Sequence, residues 1–447
     1  FLSIHHHQHL QERDDCPAGT IGLQDSGQFQ IQHPLMQLLF HLNFSCHIFQ
    51  FLLLDLKRAL SCIVACIYYY RILSGDIMST NKQITSTVTD QGKLEIAITE
   101  SERPVPKDDE VLIQIQATPI NPSDLGLLLG PGDIKTLAAE GSKITMDVPE
   151  AIMGAMKPRL NIPMPVGNEG SGVVVEAGAN VQEMMGKVVS VVGGGMYTQY
   201  RCLPAASCMV MNEGTEPREC ASSFVNPLTA LGMVETMKME GHSAIVHTAA
   251  ASNLGQMLVK ICVDDGVQLV NIVRKQEHVD LLKSIGAKFV CNSSDDDFKE
   301  QLTAAIIETK ATLAFDATGG GELAGQILTC MEIAARKNAT EYSPYGSTEH
   351  KQVYIYGALN QSGITLPNNR TFGMYWGIGG FLLTPFLGKI GFEKIGELQT
   401  RVANEIKTTF ASTYTQEVSL EGALTLEALM VYAKQATGEK FLINPNG

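Results

Sequence analysis

The stretch Val246-His247-Thr248-Ala249-Ala250-Ala251-Ser252-Asn253-Leu254-Gly255 narrows the choice of fold more than any other part of this chain. It follows a short apolar run, Ala244-Ile245-Val246, and leads into a helix-like run, Gln256 to Cys262. A strand, a turn of small side chains and a helix bring backbone N–H groups close to a pyrophosphate at the helix N-terminus, where the dipole favours an anion. Against the pattern G-x-x-G-x-x-G the chain reads Ala249-x-x-Ser252-x-x-Gly255, with glycine only at the last position. Ala and Ser are still small enough for close approach, though a plain βα turn or a site for another nucleotide would look the same over this stretch alone. Ala249, Ser252, Asn253, Leu254 and Gly255 are the candidate pyrophosphate-binding residues. A second strand, Val267 to Val273, ends in Arg274-Lys275. An acidic residue there would hold a ribose 2′-hydroxyl, whereas two cations suit a 2′-phosphate. The expected cofactor is NADPH and the expected chemistry is hydride transfer.

The downstream pattern supports this. A helix over Gln276 to Ser284 ends at Gly286, a strand covers Phe289-Val290-Cys291, and the next helix carries Asp295, Asp296 and Asp297 in its first turn. Thr312 to Asp316 reads as a strand before Gly319-Gly320-Gly321, and Val353 to Tyr356 as a strand ending at Gly357. Alternating strands and helices at this spacing predict an α/β fold with a doubly wound parallel sheet.

Several further motifs, in order, carry a family resemblance: Asn121-Pro122-Ser123-Asp124, Gly167-Asn168-Glu169-Gly170-Ser171-Gly172, Asn226-Pro227-Leu228-Thr229-Ala230 and the terminal Gly438-Glu439-Lys440-Phe441-Leu442 strand. With the pyrophosphate turn, they make the chain from about Met78 onward resemble the medium-chain dehydrogenase/reductase superfamily, in particular its zinc-free quinone oxidoreductase and enoyl-thioester reductase branch. The resemblance implies a Rossmann domain over residues 224–384 and a GroES-like β-barrel domain over residues 78–223 and 385–447, with nicotinamide and substrate in the cleft between them. It also implies a homodimer formed through the nucleotide domain.

Zinc-dependent members of that superfamily place a catalytic Cys where this chain has Asn121, and a His where it has Asn168. Asn is a poor zinc ligand, so no metal is expected. Without a Lewis acid, polarising an alcohol oxygen is hard, whereas hydride addition to an electron-poor C=C or a quinone needs only hydrogen-bond donors for the developing charge. Enoyl-thioester reductases of the family carry a Tyr shortly after the Asn-Pro-Ser-Asp motif. Here Leu127 to Asp133 contains none, so the proton donor is unassigned. The expected function is NADPH-dependent reduction of quinones or α,β-unsaturated carbonyls. An enoyl-thioester reductase and a non-catalytic, crystallin-like NADPH-binding relative stand as alternatives.

By the same resemblance, Asn121 faces the nicotinamide and Thr229 hydrogen-bonds near its phosphate; these two are the candidate catalytic residues. Gly357 and Ala358, ending the last sheet strand, are expected beside the nicotinamide amide. Asp124 reads as structural, since Asn-Pro-Ser-Asp is a good turn on its own. Glu169 suits either the cleft or a buried structural role. Tyr197 and Tyr200 read as barrel packing. Phe372, Tyr375 and Trp376 suit a pocket wall, a subunit interface or a core. The Met-rich connection holding Met146, Met153, Met156 and Met164 suits either a substrate wall or ordinary packing.

Apolar content of 45% and charged content of 18% describe a folded globule, and a net charge of −14 makes nucleic acid an unfavourable partner. Residues 1–77 differ from the rest, with seven of the eleven His and an almost uncharged run from Leu35 to Leu54. A translated upstream segment, a targeting leader and a membrane anchor all compete there. The first is favoured because the family pattern needs nothing before Met78, and a membrane is not expected as a partner. Cysteines in apolar runs without C-x-x-C pairs suit a cytoplasmic location, or an organellar one if residues 1–77 are a genuine leader.

Overall fold

The computed structural model describes residues 80–434 and 439–447. The leader expected over residues 1–77, the start at Met78 and Gly438 lie outside them. No helix among the described residues is long and apolar enough to cross a membrane.

Two antiparallel sheets form the first half. β1 (Thr80–Val88) and β2 (Lys93–Glu102) make a hairpin whose loop ends at Gly92, with φ of 73°. A residue with a Cβ is strained there, which is why the turn needs glycine. β3 (Glu110–Pro119), β4 (Ala138–Glu140), β5 (Lys143–Asp147), β6 (Met164–Pro165), β7 (Glu169–Ala177), β8 (Val188–Val192), β9 (Tyr200–Pro204) and β10 (Met209–Val210) follow. One sheet runs β4-β5-β2-β1-β6. The other is built on β10-β8-β7-β3, with β9 also paired to β3. The Met-rich connection supplies β4, β5 and a short helix, Glu150–Met156. Met146 is fully buried in the core with Ile84, Leu94 and Ile96, and Met153 and Met156 pack against that core, so these side chains fill space within the barrel.

The second half is a six-stranded parallel sheet. β11 (Ala244–His247), β12 (Gln268–Val273), β13 (Phe289–Asn292), β14 (Leu313–Asp316), β15 (Lys351–Ile355) and β16 (Trp376–Gly380) run in the order β13-β12-β11-β14-β15-β16. This is the doubly wound order with its switch point between β11 and β14. β11 and β14 are buried at every residue, as strands covered on both faces must be. The sheet extends one strand past Gly357, so β15 is not its last strand; Trp376, on β16, packs edge-on against the buried Phe372. Phe372 is therefore a core residue, and Tyr375 is exposed. Asp297 precedes the Phe298–Thr309 helix as its N-cap position, so the three aspartates lie before its first turn.

The chain returns to the barrel later than expected. The Leu383–Asn404 helix packs on the Val225–Met239 helix, and Leu398, Val402, Ile406 and Phe410 share one core with Leu228, Leu258 and Phe315. Residues 385–410 thus belong with the nucleotide sheet, because their apolar face finds its complement there. Only β17 (Gln416–Val418) and β18 (Phe441–Ile443) rejoin the barrel, β18 pairing with the end of β3.

Candidate active site

The turn after β11 has the geometry its small residues allow. Ala249 adopts a left-handed φ of 48°, the conformation that glycine usually supplies. Ser252 caps the Asn253–Asp264 helix, its hydroxyl accepting from the Gly255 N–H at 3.2 Å. The Asn253 and Leu254 amides, one step earlier, donate to no described acceptor. A Cβ on Gly255 would lie 2.1 Å from the Ala250 carbonyl oxygen, so glycine there sets how closely helix and strand approach. The Ala250 N–H donates to Ile272 O at 3.2 Å, tying the turn to β12 two residues before Arg274. Arg274 is exposed and forms no ion pair with a described residue; Lys275 is paired with Glu277 at 3.0 Å. Gly357 lies against the turn after β14: a Cβ on it would meet Ala317 O at 2.5 Å.

Beside this turn, Thr248 and Asp316 join the carboxyl ends of β11 and β14. Thr248 Oγ1 donates to Asp316 at 2.6 Å and accepts from the Ala317 N–H at 2.9 Å. His247, fully buried, shares a 2.8 Å hydrogen bond with the Tyr356 hydroxyl. Burial holds its imidazole down to about 3, so it is neutral across the physiological range.

A second group of polar residues gathers around Glu169. Its carboxylate accepts from Asn121 Nδ2 at 2.7 Å and from the Phe224 and Val225 amides, both at 2.9 Å. The last two open the Val225–Met239 helix, whose N-terminal dipole favours the charge. Burial raises the Glu169 carboxyl, and Lys440 and these hydrogen bonds oppose the rise. Asn121 is 2% exposed, and its Oδ1, buried as well, has no partner among the described residues. Asp124 accepts from the Asn121 and Asn168 N–H groups, both at 2.7 Å, and burial pushes its carboxyl up to about 7. Asp124 is thus a clasp for the loop. Thr229 lies in the second turn of its helix rather than at the start, and is buried. Tyr197 is buried, its hydroxyl donating to Pro119 O at 3.3 Å within the barrel.

Residues 107–213 match the family described as alcohol dehydrogenase GroES-like domain, and residues 254–364 the family described as zinc-binding dehydrogenase. The chain belongs to the medium-chain dehydrogenase/reductase superfamily. Its relatives lie in the quinone and enoyl reductase-like branch. It is 26% identical over 275 residues to the mitochondrial enoyl-[acyl-carrier-protein] reductase of Xenopus tropicalis, covering 59% of this chain and 65% of that protein. It is 24% identical over 279 residues to the NADPH quinone oxidoreductase of Kluyveromyces marxianus, covering 58% and 64%. The chain thus spans just under two thirds of the length of these curated relatives. Among solved structures, a candidate NADPH:quinone reductase from Mesorhizobium loti superposes with a TM-score of 0.62 at 24% identity, covering 83% of this chain and 99% of that one. A mutant enoyl thioester reductase from Candida tropicalis gives 0.57 at 19%, covering 82% and 100%.

At the two positions where zinc-dependent members of the superfamily carry Cys and His, the side chains bond within the chain: Asn121 to Glu169, and Asn168 Nδ2 to Ser123 Oγ at 3.0 Å. The structure also brings in residues that sequence reasoning did not single out. Tyr356 and Asp316 close the sheet end, the Tyr414 hydroxyl donates to Ser222 Oγ at 3.0 Å, and Ser412 accepts from Asn253 Nδ2 at 3.1 Å. No spacing rule links them, because each pair joins separate elements.

Proposed function

We propose that this chain is an NADPH-dependent oxidoreductase that reduces quinones or the activated C=C bond of α,β-unsaturated carbonyls without a metal ion. The observation that carries the reading is the turn at Ala249 to Gly255, where a left-handed alanine and a capped helix leave the Asn253 and Leu254 amides for a pyrophosphate. Arg274 and Lys275, just past β12, fit a 2′-phosphate. The buried, unpartnered Asn121 Oδ1 fits a donor from the nicotinamide half. When bound, the reduced nicotinamide supplies a hydride to an electron-poor carbon. Asn121 and Thr229 orient the reacting groups, and Gly357 and Ala358 leave room for the ring. The curated relatives' names point more often to enoyl-thioester than to quinone substrates, whereas the missing Tyr after Asp124 favours quinones and simple enones.

NADPH oxidation with a panel of quinones, enones and acyl thioesters tests this. Turnover is expected with quinones or enones and little with thioesters. A cofactor-dependent thermal shift without turnover on any of them would instead indicate the non-catalytic alternative. The basic pair has its own test. Arg274→Asp with Lys275→Ala is expected to raise the ratio of NADPH to NADH dissociation constants by about 10- to 100-fold, the loss of one or two charge-assisted contacts. An unchanged ratio would make the pair ordinary surface charge.

A further inference from the structure

Two buried polar atoms on neighbouring strands have no partner among the described residues: Asn271 Oδ1 and His247 Nδ1. Asn271 on β12 and His247 on β11 are cross-strand partners in the parallel register. Their side chains therefore leave the sheet on the same face, from strands about 4.8 Å apart. Both residues are fully buried. A buried polar group left unpaired is costly, so two such neighbours, one of them able to donate, satisfy each other at least cost. The other ring nitrogen, His247 Nε2, meets the Tyr356 hydroxyl at 2.8 Å.

The direction of each bond follows from counting donors. Asn271 Nδ2 donates to Phe289 O at 3.1 Å. A carbonyl needs a donor, so the amide cannot be turned round, and Oδ1 is an acceptor only. The neutral His247 ring carries one N–H. With that hydrogen on Nε2, the ring donates to Tyr356, and a bare Nδ1 lone pair stands beside the Asn271 carbonyl. Two buried acceptors then share no donor. With the hydrogen on Nδ1, Oδ1 has its donor and Nε2 accepts from the Tyr356 O–H. Only this second arrangement satisfies every group.

We propose that Asn271 fixes the tautomer of His247, and that His247 in turn draws the Tyr356 O–H inward, leaving the phenol oxygen as an acceptor for an N–H or O–H group of the bound nucleotide. The last part rests on the reductase reading above. Tyr356 directly follows β15, its N–H donates to Asp316 O at 3.0 Å, and its side chain reaches past the end of β14 to β11. In a doubly wound sheet the ligand lies outside the carboxyl ends of the strands at the switch point, which here falls between β11 and β14. Tyr356 is half-buried, and Gly357 follows it. Asn271 and His247 are positioning residues, buried beneath the crevice, and they decide which way one hydroxyl points.

Two measurements on the full chain test this. The first is a long-range 1H–15N correlation spectrum of the histidine rings without nucleotide, with His247 assigned by its loss in His247→Gln. The Nδ1–H tautomer is expected, and a predominant Nε2–H form would overturn the proposal. Asn271→Leu makes the position apolar like its strand neighbours Leu269 and Val273. It leaves Nδ1 without an acceptor, and the tautomer ratio is expected to shift toward Nε2–H by at least about 10-fold. Tyr356→Phe is expected to keep Nδ1–H. The opposite pattern, a change in Tyr356→Phe and none in Asn271→Leu, would show that the phenol sets the tautomer and would overturn the proposal. If Asn271→Leu does not fold, Asn271→Asp keeps the acceptor and is expected to keep Nδ1–H; a switch to Nε2–H there would also overturn it. The second measurement is calorimetry with NADPH. Asn271→Leu is expected to weaken binding about 10-fold, because only the minor tautomer still offers the acceptor. Tyr356→Phe is expected to weaken it about 3- to 10-fold. Unchanged affinity in both would overturn the acceptor role and leave the reductase reading intact. No binding by the unaltered chain would overturn that reading and the acceptor role together, while the spectrum alone decides the tautomer.

Discussion

Replacing Gly255 by Ala is expected to cost at least about 3 kcal/mol of stability and to abolish NADPH binding. The added methyl would sit 2.1 Å from Ala250 O and 2.6 Å from its carbonyl carbon, both backbone atoms that cannot swing aside. Relief requires the Asn253–Asp264 helix to lift away from β11. That movement breaks the Ser252 cap at Gly255 N and re-aims the Asn253 and Leu254 amides. Stability and binding therefore fall together, by one displacement. Gly388→Ala is the control. That glycine lies within the Leu383–Asn404 helix with nothing within 4 Å of an added Cβ, so the change is expected to stabilise by up to about 1 kcal/mol. Denaturant titration and calorimetry with NADPH check both. A Gly255→Ala chain that keeps its stability and affinity would mean that helix and strand are not held as closely as described.

Glu169 carries the second large effect, and two substitutions separate its roles. Glu169→Ala leaves Asn121 Nδ2 and two helix amides without their acceptor, and removes a negative charge that favours the Lys440 ammonium. The expected loss is about 3–5 kcal/mol. Glu169→Gln keeps the shape. Both backbone amides bind one oxygen, so the new NH2 must face Asn121. Two NH2 groups cannot bond, and Asn121 must turn its oxygen toward Gln and its own NH2 toward the space that Oδ1 held. Stability is expected to drop by only about 1 kcal/mol, while NADPH or substrate affinity drops about 10- to 100-fold, because a buried acceptor has become a donor. If Glu169→Gln binds as the unaltered chain does, Asn121 Oδ1 has no ligand to meet.

The alternating strands and helices of the nucleotide half as far as β15, and their order, were legible in the chain because each rests on local physics. Buried parallel strands are short apolar runs, and the small residues from Ala249 to Gly255 allow the one tight turn that joins β11 to its helix. Even there, alanine in a left-handed conformation was visible only in three dimensions, since composition does not fix φ. The end of the sheet was misplaced for a related reason. β16 is glycine-rich, Trp376-Gly377-Ile378-Gly379-Gly380, and carries no clear strand signal until β15 offers it hydrogen bonds. The allegiance of residues 385–410 was equally hidden, because an amphipathic helix shows that it has an apolar face and not which surface will cover it.

The sequence by itself determined the alternation of elements in the nucleotide half, the candidate phosphate turn, the two cations after β12 and the asparagines at positions 121 and 168. Only the tertiary structure decided what those asparagines do. Asn121 meets Glu169 from 48 positions away, and Lys440 meets Ser222 from 218. Periodicity and motifs report interactions within a turn or a strand pair. A buried polar group satisfies itself with whatever donor the completed fold brings within about 3 Å, and that partner is set by packing rather than by spacing along the chain.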